Sequence, residues 1–161
     1  MTQPLTANPI QAFYPENVAH CYGCGRLNEH GLQIKSYWDG QESLCTFRPR
    51  PYHTAIPGFV YGGLIASLID CHGTGTAAAA AYTQAGREPG TEPPFRFVTG
   101  ALNVRYKRPT PLDADLELRA TVREIKGKKI TVDVTLSAFG QVCATGEVIC
   151  FEMPEELLND E

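Results

Sequence analysis

Apolar residues recur along this chain in two different periods, and the switch between them divides it. Ile34 to Gly40 and Ser43 to Pro49 are short runs rich in aromatic and β-branched residues, separated by Gly40, Gln41 and Glu42, which predicts a hairpin. From Tyr61 the spacing changes. Leu64, Ile65, Leu68, Ile69 and His72 recur at three and four residues, and the Ala77 to Ala81 run favours helix strongly, so one long helix is expected from about Gly62 to Tyr82. Gln84 to Pro94, with two Gly and three Pro, ends it. Beyond that break the period is two. Leu102, Val104 and Tyr106, then Leu116, Leu118, Ala120 and Val122, then Ile130, Val132, Val134 and Leu136 alternate with polar residues, and Val142 to Phe151 adds a strand apolar on both faces. The turns at Pro109 to Asp113, Lys126 to Lys129, and Gly140 with Gln141 are short, which predicts neighbouring antiparallel hairpins. Two strands, one long helix and a four-strand meander make an α+β layout. A single such helix needs an apolar surface, and a curved antiparallel sheet of five to six strands wrapped around it supplies one.

Composition narrows the setting. At 161 residues, 43% hydrophobic and 20% charged, the chain suits one globular domain with one core. Residues 1–19, with three prolines and no sustained period, read as an N-terminal arm on the surface; residues 20–152 form the domain, and residues 153–161 an acidic tail. Fourteen Lys+Arg against 18 Asp+Glu give a net charge of −4, without the clustered cations a nucleic-acid binder needs. No apolar run is long enough for a bilayer and the start has no signal-peptide pattern, so a cytoplasmic protein is expected. The six cysteines do not imply disulfides in a chain of this size.

The stretch with most chemical content runs from His53 to Asp70. Two glycines, Gly62 and Gly63, open the helix, and an acid follows eight residues after the first. First-turn N–H groups have no partner within the helix, so they can hold a developing oxyanion, and glycine lets a carbonyl approach them. Gly62 is the expected donor. Gly63, Ala66, Asp70, Gly73 and Ala77 share one stripe, which sets a carboxylate in a lane of small residues and predicts a contact surface. At about 1.5 Å rise per residue, Gly62 and Asp70 lie roughly 12 Å apart, too far to act on one carbonyl carbon. Two copies of the helix running antiparallel across a two-fold axis would bring the Gly62 end of one to the Asp70 of the other.

The Gly-Gly-x6-Asp segment, the preceding Pro57-Gly58, the following strands and the Tyr106-Lys-Arg-Pro109-Thr-Pro-Leu strand end together resemble the hotdog-fold acyl-CoA thioesterases of the PaaI-like type. The Cys21-Tyr-Gly-Cys24-Gly25 opening, followed by Asn28 and Gly31-Leu32, resembles one branch of that group. The resemblance implies hydrolysis of an acyl-CoA or related thioester in a homodimer or dimer of dimers, with no cofactor, because CoA is part of the substrate. It places Asp70 on the catalytic carboxylate, as nucleophile or as general base for water, and Gly62 on the oxyanion-hole glycine. Thr99 falls where a hydroxyl helps to place the water, and Thr74, one turn beyond Asp70, is a second hydroxyl of similar role. Two departures stand out: Tyr61 replaces the histidine usual before Gly62-Gly63, and Ala55 replaces a side-chain amide. His53, two residues before Ala55, is either the polar group that substitutes beside the thioester carbonyl or a plain loop histidine.

Arg105, Lys107 and Arg108 form the best local basic cluster, where the phosphates of CoA would dock. Lys126, Lys128 and Lys129 read as a solvated hairpin tip. His72 lies on the Leu64/Leu68 stripe and reads as a core residue. Cys21 and Cys24 have the spacing of half a zinc site, with His20 and His30 nearby, but a tight turn through Gly23 and Gly25 explains the stretch equally well and no metal is expected. The alternative function is a non-catalytic acyl-CoA binding or sensing protein on the same fold. A hotdog dehydratase would show a Gly-Asp-x-Asn-Pro-x-His type segment, which the chain lacks.

Overall fold

The computed structural model describes residues 5–159. Two short 3-10 turns, Ile10–Phe13 and Glu16–Val18, lead into β1 (Tyr37–Trp38) and β2 (Glu42–Phe47). The helix α1 (Gly62–Gln84) is followed by β3 (Phe97–Tyr106), β4 (Leu116–Lys126), β5 (Lys129–Ala138), β6 (Gln141–Glu152) and a single turn α2 (Glu155–Leu158). The six strands form one antiparallel sheet in the order β1-β2-β4-β5-β6-β3, and α1 packs against its strands. This is the α+β layout that the two periods predicted, in the hotdog arrangement that the family resemblance implied.

The meander is where expectation and structure part. The β4–β5 and β5–β6 hairpins form as predicted, the second closing through Phe139 and Gly140, both at positive φ as a two-residue hairpin turn requires. β3 and β4, however, are not neighbours. β4 pairs with β2, leaving β3 to cross to the far edge beside β6. The crossing segment is laced to the loop before α1: the N–H of Val60 donates to Thr110 O (2.9 Å) and that of Leu112 to Gly58 O (2.9 Å).

The lead-in also departs from the surface arm expected. Ile10, Gln11, Tyr14 and Ala19 are buried. The reason lies in α1, which is enclosed all round from Cys71 to Tyr82, so the sheet can cover only one side of it. The lead-in covers the other. Gly75 lies beneath it, where a Cβ would come within 2.8 Å of Gln11 Nε2 and 3.1 Å of Ile10 Cγ2. Gln11 also reaches Ser36, which bonds Nδ1 of the fully buried His72 (2.8 Å), while His72 Nε2 meets Ser43 O (3.1 Å). His72 is thus a satisfied core residue, and burial lowers its pKa to about 4. At the other end Leu158 is buried and its carbonyl accepts from Asn17, which ties part of the expected tail to the lead-in. Residues 1–4 of the expected arm and 160–161 of the tail lie outside the described residues.

Candidate active site

Asp70 is half-buried two turns into α1, and the hydroxyl of Thr99 donates to its Oδ1. That contact depends on an irregularity in β3. The register with β6 shifts between Thr99 and Ala101, so Gly100 is an extra residue, and a Cβ there would run into the ring of Phe151 (2.2 Å). A bulge of this kind turns a side chain that regular alternation would place elsewhere. Cys150, paired with Thr99 across the ladder, is buried. Burial, and after it the charge of Asp70, raises its thiol to about 12, so it stays protonated at neutral pH.

The other end of β3 holds the start of the helix. Tyr106 donates from its hydroxyl to Gly62 O (2.8 Å), a contact that sequence reasoning missed although Tyr106 lies in the strand-end motif. Tyr61 stands at the N-cap without a side-chain hydrogen bond to the first turn, so the leading N–H groups of α1 keep no side-chain cap. Its ring lies against Gly63, where a Cβ would come within 2.4 Å, so a side chain at residue 63 would push this exposed ring aside. His53 is buried behind it. Its Nδ1 accepts from Arg50 N (2.9 Å), its carbonyl accepts from Tyr61 N (3.1 Å), and burial followed by the charge of Arg50 lowers its pKa. The ring is therefore neutral at pH 7 with its proton on Nε2.

The structure divides the remaining candidates. Lys107 and Arg108 join Gly62, Ile65, Ala55 and Tyr106 around a hollow of about 450 Å³ at the helix start. Arg105 points to the other face of β3, into a hollow it shares with the ion-paired Arg123, Asp133 and Glu147. Alternation sends Arg105 and Tyr106 to opposite faces, and Lys107 and Arg108 lie beyond the end of β3, where the chain no longer keeps that alternation, so a cluster contiguous in sequence is split. Thr74 is buried and donates to Cys71 O (3.2 Å), away from the Asp70 carboxylate. The stripe of small residues is likewise divided, since Gly73 and Ala77 are buried in the chain's own core while Gly63 is exposed.

One chain therefore presents a hydroxyl-bound carboxylate and, about 12 Å along the same helix, an uncapped glycine start beside an apolar hollow. Residues 57–145, more than half of the chain, match the model of the Thioesterase superfamily, and the chain belongs to that family. It is 36% identical over 87 residues to the acyl-coenzyme A thioesterase THEM4 of Xenopus laevis, covering 54% of this chain and 33% of that protein. The chain spans between about a third and two fifths of the length of the curated relatives it matches. Among solved structures, a thioesterase superfamily protein from Shewanella loihica is 44% identical with a TM-score of 0.64, covering 85% of this chain and 96% of that one. The PaaI protein of the E. coli phenylacetic acid degradation operon, 17% identical with a TM-score of 0.60 over 76% of this chain and 81% of its own, shares the fold. No helix among the described residues is long and apolar enough to cross a membrane.

Proposed function

We propose that this chain hydrolyses acyl-CoA thioesters to the free acid and CoA thiol, at a site completed by a second copy of itself. The observation that carries the reading is the Asp70–Thr99 pair beside the outer edge of β3. β3 is ten residues long, lies at the end of the sheet and exposes Val98, Leu102 and Tyr106, an edge open to pairing with another β3. Antiparallel pairing of two such edges sets two α1 helices antiparallel, with the Gly62 start of each near the Asp70 of the other. A homodimer, or a dimer of dimers, follows.

In this arrangement the thioester carbonyl sits at the N–H groups of Gly62 and Gly63, which stabilise the oxyanion as it forms. Asp70, held by Thr99, takes a proton from water while the oxygen attacks the carbonyl carbon. The tetrahedral intermediate then collapses, expelling the thiolate of CoA, which takes up the proton. The same carboxylate attacking directly would form an acyl-aspartyl anhydride, which water then cleaves. Lys107 and Arg108 meet the phosphates of CoA. Tyr61 and His53 shape the wall against the acyl carbonyl, and no cofactor takes part. The Cys21 to Gly25 opening supports a place in the PaaI-like branch with that segment, with residues 20–152 as the working unit. Six free cysteines support a reducing, cytoplasmic setting.

Free-thiol release from a panel of acyl-CoAs, with wild type beside Asp70→Asn, tests the chemistry. Loss of general-base catalysis is expected to slow release by about 10²–10⁴-fold. Equal rates discard the assignment of Asp70, and tight binding without release by the wild type favours the sensing alternative. Sizing the active species tests the shared site: a fully active monomer refutes it.

A further inference from the structure

The described residues hold a second cluster of reactive groups, on the side of α1 that faces the lead-in. Cys21, Cys24 and Cys71 bring their sulfurs within 4.8 Å of one another, and Cys21 and Cys71, fifty residues apart, are 3.8 Å from sulfur to sulfur. Zinc–sulfur bonds of about 2.3 Å in a tetrahedron set neighbouring sulfurs about 3.8 Å apart, so the spacing already suits thiolates on one metal ion. The loop is built around this approach. A Cβ at Gly23 would come within 2.4 Å of Cys71 Sγ, so any side chain there would displace the third sulfur. Gly25, whose N–H donates to Cys21 O (2.8 Å), would likewise drive a Cβ to 2.4 Å from Cys21 N. His20 and His30, the partners first considered for Cys21 and Cys24, are exposed and outside the cluster. The third donor comes from α1 itself, next to Asp70.

A second observation concerns the surroundings. Tyr14 is buried, its hydroxyl has no hydrogen-bond partner, and it lies within electrostatic reach of all three cysteines. Buried hydroxyls are normally paired, so an oxygen or cation belongs beside it. Arg96, also buried, stacks 4.2 Å from the centroid of the Tyr14 ring and acts electrostatically on Cys24.

The geometry points to a zinc(II) site formed by Cys21, Cys24 and Cys71, with a solvent oxygen in the fourth position held by the Tyr14 hydroxyl. Binding releases three thiol protons and leaves a centre of net charge −1, which the guanidinium of Arg96 complements. Three sulfurs fit a metal better than a disulfide, which would join two and leave the third idle. The site clamps the Cys21 to Gly25 loop to α1 at the residue after Asp70. It rests only on these residues and stands or falls independently of the thioesterase reading.

The test uses the full chain, purified with reductant and no chelator, loaded with zinc(II) and desalted. About one zinc per chain is expected by elemental analysis. Cobalt(II) in its place should give a thiolate-to-metal charge-transfer band, and zinc should raise Tm by about 5 °C or more. Cys21→Ser, at a half-buried position, should lose all three signals, while Cys143→Ala should keep them. Tyr14→Phe should weaken zinc affinity by about 10–100-fold. Zinc retained equally by Cys21→Ser and wild type overturns the site. So does zinc-free wild type after loading, including protein whose Cys21 is found in a disulfide. Unchanged affinity in Tyr14→Phe overturns the role given to Tyr14.

Discussion

Replacing Gly73 with alanine tests how closely the helix that carries Asp70 must approach the sheet. A Cβ at residue 73 would lie 2.6 Å from Val148 Cγ2, 2.8 Å from its Cβ and 3.1 Å from its Cγ1. Carbon atoms prefer about 3.5–4.0 Å. Turning the Val148 side chain relieves the contacts with its methyl groups but not the one with its Cβ, which is fixed to the backbone of β6. The helix must therefore lift. Overpacking of this kind costs about 1–3 kcal/mol, and the 2.8 Å approach to a fixed Cβ places this case at about 2–3 kcal/mol, of which the better helix propensity of alanine returns about 1 kcal/mol. The net expectation for Gly73→Ala is a loss of about 1–2 kcal/mol, or about 3–6 °C in Tm for a domain of this size, read by calorimetry and urea unfolding. Val148→Ala alone should cost about 2 kcal/mol by leaving a cavity. The double variant should still carry part of the Gly73→Ala cost, because alanine at residue 148 relieves the contacts with the two methyl groups but keeps the Cβ that the new methyl approaches to 2.8 Å. A Gly73→Ala protein as stable as the wild type would show that α1 does not depend on this close approach.

Thr99→Val removes the hydrogen bond to Asp70 and should lower kcat about 10–100-fold, while Thr99→Ser retains most of the rate; equal losses in both would deny the hydroxyl a part. Lys107→Ala with Arg108→Ala should raise KM for an acyl-CoA but not for the same acyl group on a thiol lacking the nucleotide. Arg105→Ala, on the opposite face, should change neither, and a KM effect from Arg105 alone would refute the division. The pKa of His72 is about 4 in the folded chain and near 6.5 when unfolded, so between those values only the unfolded state takes up its proton. This contribution to stability is fully present above about pH 6.5 and is lost as pH falls toward 4, by about 3 kcal/mol. His72→Gln should flatten that part of the pH–stability curve, and an unaltered slope would contradict the assignment.

How much of this was legible in the sequence follows from the range over which each feature is decided. The helix could be read because its periodicity and its alanine run are local properties, and the strands because alternation is local too. The place of β3 could not, because it depends on which strand edge is already taken, and that is settled by β2, which ends fifty residues before β3 begins. The candidate site divides in the same way. Gly62 and Asp70 share one helix, so their separation followed from its rise alone. The aim of Thr99 came from a bulge at Gly100, and an isolated glycine in an alternating run marks such an irregularity without saying which side chain it turns. Sequence adjacency misgrouped Arg105 with Lys107 and Arg108, and alternation alone would not have parted 105 from 107; the end of β3 at Tyr106 does so. The cysteines show the limit most clearly. A CxxC pair advertises half of a site, but the residue completing it lies in a helix whose own pattern accounts for Cys71 as an ordinary buried position. Only the fold brings it to the loop. A third ligand hidden inside a regular element is invisible to motif spacing, so sites of this composition are found by asking which buried sulfur faces a CxxC turn, not by searching for a second one.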